Sequence, residues 1–146
     1  MNKEEILNII KTKLSERIQK FENLIAETRA ANNETKSSMG DKYETSREMV
    51  QQEINNLQRQ LNETLNQQVL VQKISPEKSS KVQNGALVKT DKGLFYIAAS
   101  IGEIVFENQK VMTVSVESPL VKAMFGKKIA EKFMINNNHQ TIENIW

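Results

Sequence analysis

Cysteine is absent from this chain of 146 residues, and aromatic residues make up only 5% of it. The absence of cysteine excludes disulfides, thiol nucleophiles and cysteine metal ligands, and it agrees with a reducing cytosol. The scarcity of aromatic side chains leaves little for nucleic-acid bases to stack on. No apolar run is long enough to span a bilayer, and residues 1–5 are acidic where a secretory signal would be basic. We therefore expect a cytoplasmic protein without a membrane partner.

Neither sign of charge predominates in the sequence. The formal net charge is +2, with 10 Lys and Arg against 11 Asp and Glu in residues 1–70, and 10 against 7 in residues 71–146. Neither half is basic enough to indicate autonomous binding of nucleic acid.

Residue patterns typical of an enzyme active site are missing as well. The single histidine, His139, follows three asparagines in a setting typical of an exposed turn. The sequence contains no glycine-rich phosphate loop, nucleophile elbow or cluster of metal ligands. We expect no catalytic residue and no enzyme activity of its own.

What the chain does have is two long helical stripes in its first half, in blocks without glycine or proline. The first stripe advances in steps of three and four and contains one charged interruption, Arg17. Its members are Leu7, Ile10, Leu14, Arg17, Phe21, Leu24 and Thr28, with Ile6, Ile18 and Ile25 widening the same face. The members of the second stripe are Tyr43, Arg47, Val50, Ile54, Leu57, Leu61, Thr64 and Leu65.

Between the stripes, residues 30–40 are rich in Asn, Ser and Thr and end at Gly40, so the chain can reverse there. One such helix alone could bury its stripe against nothing, whereas two helices folded back bury each other. We therefore predict an antiparallel coiled-coil hairpin as the N-terminal domain, residues 1–74, with its tip near residues 32–42. A compact helical bundle and dimerisation in trans are the alternatives.

Short alternating runs replace the helical period in the second half. Residues 75–81 are polar, contain proline and form the candidate hinge. Five or six later runs, separated by turn signals, predict β-strands. Ser118 and Pro119 predict the start of one short helix, and Gly126 its end. We predict an α+β fold in which residues 75–146 form a small antiparallel sheet with one short helix on a face.

The run from Val114 to Lys128 reads VSVESPLVKAMFGKK: a strand ending in Ser-Pro, an apolar helical turn with a basic residue, then Gly-Lys. This run closely resembles the signature of the C-terminal domain of Gre-type (GreA and GreB) bacterial transcript-cleavage factors. In the first half, residues 25–29 are similar to the end of the family's first coiled-coil helix, and residues 43–61 are similar to its second. The resemblance covers nearly the whole chain in the family's order.

The resemblance implies a bacterial transcription elongation factor whose partner is RNA polymerase. Members of the family bind the polymerase through a domain that resembles the FK506-binding fold, and they insert the coiled coil into the secondary channel. Two acidic residues at the tip help to hold a second Mg²⁺ and its water, so that the polymerase hydrolyses backtracked RNA. This chain is then expected to be a monomer that shares Mg²⁺ with the polymerase, has no cofactor of its own and meets nucleic acid only within that complex.

The predicted tip departs from the family pattern, which reads Gly-Asp, two residues, then Glu-Asn. Alignment on residues 25–29 puts the family's aspartate on Asn33. Alignment on Tyr43 instead puts the two acids on Lys36 and Met39. Neither alignment restores the acid pair.

Asp41 and Glu44 offer a different acid pair, and a spacing of three places both carboxylates on one face of a helix. They are the candidate ligands for the shared Mg²⁺. The same residues also fit a helix N-cap and the third helical position, and the two roles are compatible. Residues 29–48 contain four acids and four bases, and nearby cations compete for carboxylates that would hold a divalent ion.

Several mechanisms are therefore open at this point. Asp41 and Glu44 could complete a metal site and stimulate RNA cleavage. The hairpin could instead enter the channel without stimulating cleavage, and regulate initiation, pausing or access of small effectors. Outside the resemblance, the chain could be a coiled-coil interaction module anchored by its small β domain.

Glu117, Ser118 and Pro119 match the family's polymerase-contacting loop, and the resemblance implies that they bind the polymerase. A cap at Ser118 and a first helical residue at Pro119 would be useful in any protein, so a purely structural role is the alternative. Leu120, Met124 and Phe125 share one helical face, which predicts that they are core residues.

Overall fold

The computed structural model describes residues 1–34 and 40–146, without the side chains of residues 32–34 and 40–45. Two long helices come first: α1, Lys3–Glu34, and α2, Gly40–Gln72. The remaining elements are β1 Leu87–Thr90, β2 Gly93–Ile97, β3 Gly102–Phe106, β4 Gln109–Val114, α3 Pro119–Met124, β5 Lys132–Ile135 and β6 Asn138–Ile145. The predicted α+β class, with a helical hairpin followed by a sheet and one short helix, is confirmed. Within the described residues, neither α1, α2 nor α3 offers an apolar stretch that could span a bilayer.

Contacts divide the chain into two compact units. The hairpin unit is Lys13–Gln68, and the sheet unit consists of Met1–Thr12 together with Val69–Trp146. The sequence predicted a boundary between residues 74 and 75, which separates the helices from the sheet. The contacts instead group the first turns of α1 and the end of α2 with the sheet.

The hairpin unit has its own apolar core, built from both helices. Its buried residues are Ile18, Ile25, Ile54, Leu57 and Leu61, and the half-buried Phe21, Leu24 and Val50 pack against them. The prediction that a charged residue interrupts the seam is wrong, because Arg17 is exposed and its neighbour Ile18 is buried. A step of four from Leu14 to Ile18 keeps the apolar side chains on the inner face of the helix.

The sheet unit contains a six-stranded sheet in the order β3-β4-β2-β1-β6-β5. Every neighbouring pair is antiparallel, as predicted, except β2 and β4, which are parallel. The exception arises because β3 and β4 form a hairpin whose second strand lies beside β2. Two-residue turns close the β3–β4 and β5–β6 hairpins at 107–108 and 136–137, with positive φ at all four positions. That backbone suits the twist of antiparallel strands.

Side chains on one face of the sheet pack with α3. This core contains Val88, Ile97, Val114, Phe133, Ile142 and Ile145 from the strands, Val121 and Met124 from α3, and Val82 and Ala86 from the segment before β1. Strand alternation sends Leu87, Tyr96 and Val111 to the opposite face, where they are also buried. Further buried apolar side chains of the same unit come from β2 and β3, among them Leu94, Ile104 and Phe106, from α1 and α2, among them Ile6, Leu7, Ile10 and Val71, and from Ile74 just after α2.

Tyr96 places a polar atom among the buried side chains on the face of the sheet opposite α3. Its side chain is fully buried, and its hydroxyl has no hydrogen-bond partner among the described residues. Burial raises the pKa of Tyr96 to about 12, because the phenolate would lose its hydration. The hydroxyl is therefore a local destabilising feature, which the apolar contacts of the ring outweigh.

We expect Tyr96→Phe to raise the free energy of unfolding by about 1 kcal/mol at pH 7, because an unsatisfied buried hydroxyl is removed. Ionisation of Tyr96 does not affect the free energy of unfolding of the wild-type protein below about pH 10, the ordinary pKa of tyrosine. As the pH rises from there toward the folded-state pKa of about 12, the unfolded state loses its proton first, so the free energy of unfolding falls. The variant should lack this alkaline loss. Urea unfolding followed by circular dichroism between pH 7 and 11.5 measures both effects.

Tyr96→Leu is the matched control, because it removes the same hydroxyl but also the ring. It should destabilise the protein by roughly 2–4 kcal/mol through loss of packing. Destabilisation by Tyr96→Phe at pH 7 would mean that the hydroxyl has a favourable interaction.

Candidate docking site on the sheet unit

Ser118 forms the start of α3 through a complete capping arrangement. Its backbone is extended, with φ −68° and ψ 146°, and its hydroxyl accepts a hydrogen bond from the backbone N–H of Val121 at 3.2 Å. Its carbonyl oxygen accepts the first helical bond from Lys122 N–H at 3.0 Å. Pro119 occupies the first helical position. A backbone N–H at that position has no acceptor within the helix, so proline loses no hydrogen bond there. The sequence prediction of this helix start is confirmed.

Glu117 lies just before the cap and faces solvent. Its carboxylate forms an ion pair with Lys122 at 3.9 Å, and the two side chains are 83% and 66% exposed. Exposed pairs of this kind contribute roughly 0–1 kcal/mol, so the pair does little to hold the loop. Glu117 therefore has no strong structural role.

The helix behind this loop is firmly anchored. Val121 and Met124 are fully buried in the sheet core, and Leu120 packs against that core while half-buried. The prediction that Phe125 is a core residue is wrong, since its side chain is 56% exposed. Its backbone, φ −57° and ψ 133°, has left the helical path, which turns the ring away from the face shared by Leu120 and Met124. The loop thus has a rigid support and an exposed aromatic at the far end of α3.

The structure therefore brings Glu117, Ser118 and Pro119 together at one corner of the sheet unit, as consecutive residues at the start of α3. The predicted metal ligands Asp41 and Glu44 have side chains that lie outside the described residues. Elsewhere in the described part of the chain, no three or more His, Asp or Glu side chains come together as metal ligands would.

Sequence reasoning did not single out Lys3, which the structure buries at 5% exposure. Burial lowers the pKa of Lys3, because the ammonium loses its hydration. A signal was present: Lys3 precedes Ile6, Leu7 and Ile10 at steps of three and four, so it falls on the apolar face of α1. A charged residue at such a position indicates a polar contact inside the fold.

Comparisons with known proteins gave few matches. No protein-family model matches the chain, and no curated protein matches it. Among solved structures, it is similar to GreA factor homolog 1 (Gfh1) of Thermus thermophilus, at 12% identity and a TM-score of 0.38 over 93% of this chain and 94% of that one. It is also similar to Thermus aquaticus Gfh1, at 15% identity and a TM-score of 0.33 over 99% and 94%. Similarity this low assigns no function.

We expect Ser118→Ala to lower the free energy of unfolding of the sheet unit by about 1 kcal/mol, because the Val121 N–H loses its acceptor. Ser118→Asp should retain most of the stability, since a carboxylate also accepts that bond. Urea unfolding of the three proteins gives the comparison. Equal stability of Ser118→Ala and the wild type would show that the cap contributes nothing.

Proposed function

We propose that this chain is a Gre-type transcription factor that binds RNA polymerase. In this proposal the helical hairpin enters the secondary channel of the polymerase, and the Glu117–Pro119 corner of the sheet unit docks on its surface. The chain supplies no catalytic residue of its own. Any chemistry on RNA is done by the polymerase active site.

The observation that carries the proposal is the self-contained core of the hairpin unit. Ile18 and Ile25 of α1 pack with Ile54, Leu57 and Leu61 of α2, so the pair needs no third helix to bury its apolar residues. At ~1.5 Å per residue, the part of α1 that belongs to the hairpin unit, residues 13–34, extends for about 33 Å. A two-helix element of this kind is narrow and long, which suits insertion into a deep channel.

The outer surface of the hairpin unit supports the same proposal. Amide side chains one turn apart bond to each other there, as in Gln19 with Asn23 at 3.0 Å and Gln51 with Asn55 at 2.9 Å. Residues 13–31 and 46–68 carry six Lys and Arg against six Asp and Glu. A neutral, amide-rich surface gives little long-range attraction to either charge, so entry would depend on shape more than on steering.

The sequence signature from Val114 to Lys128 supplies the docking half of the proposal. Its Ser-Pro step coincides with the rigid, capped start of α3, and its glutamate is exposed with only a weak partner. A corner that is held by the fold but leaves one charge exposed is suited to recognise a fixed surface.

The role of Asp41 and Glu44 belongs to this proposal as well. They would hold Mg²⁺ jointly with the polymerase and so stimulate hydrolysis of backtracked RNA. The competing form of the proposal is a hairpin that occupies the channel and regulates the polymerase without stimulating cleavage.

The docking step is tested with Glu117→Lys. If Glu117 faces a cation on the polymerase, charge reversal should weaken binding to the core enzyme at least tenfold while leaving thermal unfolding unchanged. Glu107→Lys is the matched control, since Glu107 is also exposed but lies in the β3–β4 turn. Fluorescence anisotropy with labelled protein gives the affinities. Equal binding by both variants would remove Glu117 from the interface.

The cleavage step is tested with arrested elongation complexes and Mg²⁺. The wild-type chain should shorten the transcripts, and Asp41→Asn and Glu44→Gln should each abolish shortening while still binding the polymerase, because each removes a carboxylate oxygen from the ion. Binding without shortening by the wild type would favour the regulator that does not stimulate cleavage. Failure of the wild type to bind polymerase at all would reject the proposed function.

A further inference from the structure

The buried ammonium of Lys3 bonds to three groups from two distant segments. Its Nζ donates to the backbone oxygen of Glu77 at 2.5 Å, the backbone oxygen of Trp146 at 3.0 Å and the hydroxyl of Ser79 at 3.4 Å. These bonds join residues that are 74, 76 and 143 positions apart in the sequence. All of them lie within the sheet unit.

All three N–H donors of the Lys3 ammonium have an acceptor. The backbone oxygen of Trp146 also accepts from Leu87 N–H at 3.1 Å, so Lys3 adds to the ladder between β1 and the residue after β6. No Asp or Glu side chain in the described part of the chain forms an ion pair with Lys3. A buried ammonium is retained where its hydrogen bonds offset the lost hydration.

The segment that gains most from Lys3 is residues 75–81, the polar stretch between α2 and the sheet. It contains neither helix nor strand, and six of its seven residues are exposed, Ser79 being the exception. Among the described hydrogen bonds, those that tie this segment to distant residues are the two from Lys3. Beyond it the chain is firmly held, because Val82 exchanges two backbone bonds with Gly126 and Lys127, both at 2.8 Å.

We propose that Lys3 is a latch that holds residues 75–81 closed against the first turn of α1, and that its release opens this segment without unfolding the sheet. The latch is reachable from solvent, since Lys3, Pro76, Lys78 and Trp146 line a cavity of about 440 Å³. The segment that opens ends before Val82, whose backbone bonds stay in place, and it begins after Ile74, whose side chain is buried. The segment therefore opens as one short unit, independently of any partner.

The test uses Lys3→Met, which keeps the length of the side chain and removes its donors. Lys78 is an exposed trypsin site in the middle of the segment. We expect the variant to be cut after Lys78 at least tenfold faster than the wild type, because cleavage follows the population of the open form. Cleavage after Lys110, on β4, and after Lys132, on β5, should stay unchanged. Mass spectrometry of early time points assigns each cut.

Two further variants calibrate the result. Ser79→Ala removes only the longest of the three bonds, so its increase should be about two- to threefold. Lys13→Met, at an exposed position in the hairpin unit, should be cut after Lys78 at the same rate as the wild type. Equal acceleration at Lys78 and Lys110 in Lys3→Met would show global destabilisation and overturn the latch. Unchanged cleavage after Lys78 would overturn it as well.

A measurement on the wild type covers the case in which Lys3→Met does not fold. Nitrogen-detected NMR of the lysine side chains should show one ammonium, assigned to Lys3, whose protons exchange with water at least tenfold more slowly than those of the exposed lysines. Exchange at the rate of the exposed lysines would overturn the proposal. Neither experiment involves RNA polymerase, so the latch and the proposed function are tested separately.

Discussion

The need to bury one continuous apolar stripe along α1 is the constraint on which the structure depends. Ile6 and Ile10, near its start, are buried in the sheet unit, while Ile18 and Ile25, further along, are buried in the hairpin unit. A helix of this length without partners would be marginal in water, because its stability comes mainly from tertiary packing. One helix thus takes part in two cores, and each core satisfies a different part of the same stripe.

Hydrophobic period predicted the parts of the fold that depend on local pattern. The two helices, the short α3 and the cap at Ser118 follow from stripes and from residues with specific backbone roles, and all were predictable. The placement of Arg17 failed because steps of three and four both satisfy a helical stripe, and only packing selects between Arg17 and Ile18. The parallel pairing of β2 and β4 depends on long-range topology, which alternation along a strand does not encode.

The same distinction between local and long-range features applies to the candidate site. Ser118 and Pro119 were predictable because a cap is a local motif, and the exposure of Glu117 agrees with its place before the cap. The exposure of Phe125 was not predictable, because the orientation of its ring depends on where the backbone leaves the helix. Lys3 was not recognised because its three acceptors come from residues 74 or more positions away. Two of these acceptors are backbone oxygens, which any residue type supplies, so nothing in the side-chain pattern of the acceptors marks their role.

The bond between Lys3 and Trp146 has a consequence for how the chain acquires its fold during synthesis. The hairpin unit uses neighbouring helices and can form early, whereas the sheet unit joins residues 143 positions apart and must wait for the last strand. Until β6 has emerged from the ribosome, the acceptor at Trp146 is not yet available to Lys3. The start of α1 is thus translated long before the segment to which Lys3 bonds, and Ile6, Leu7 and Ile10 lack their native surroundings in that interval.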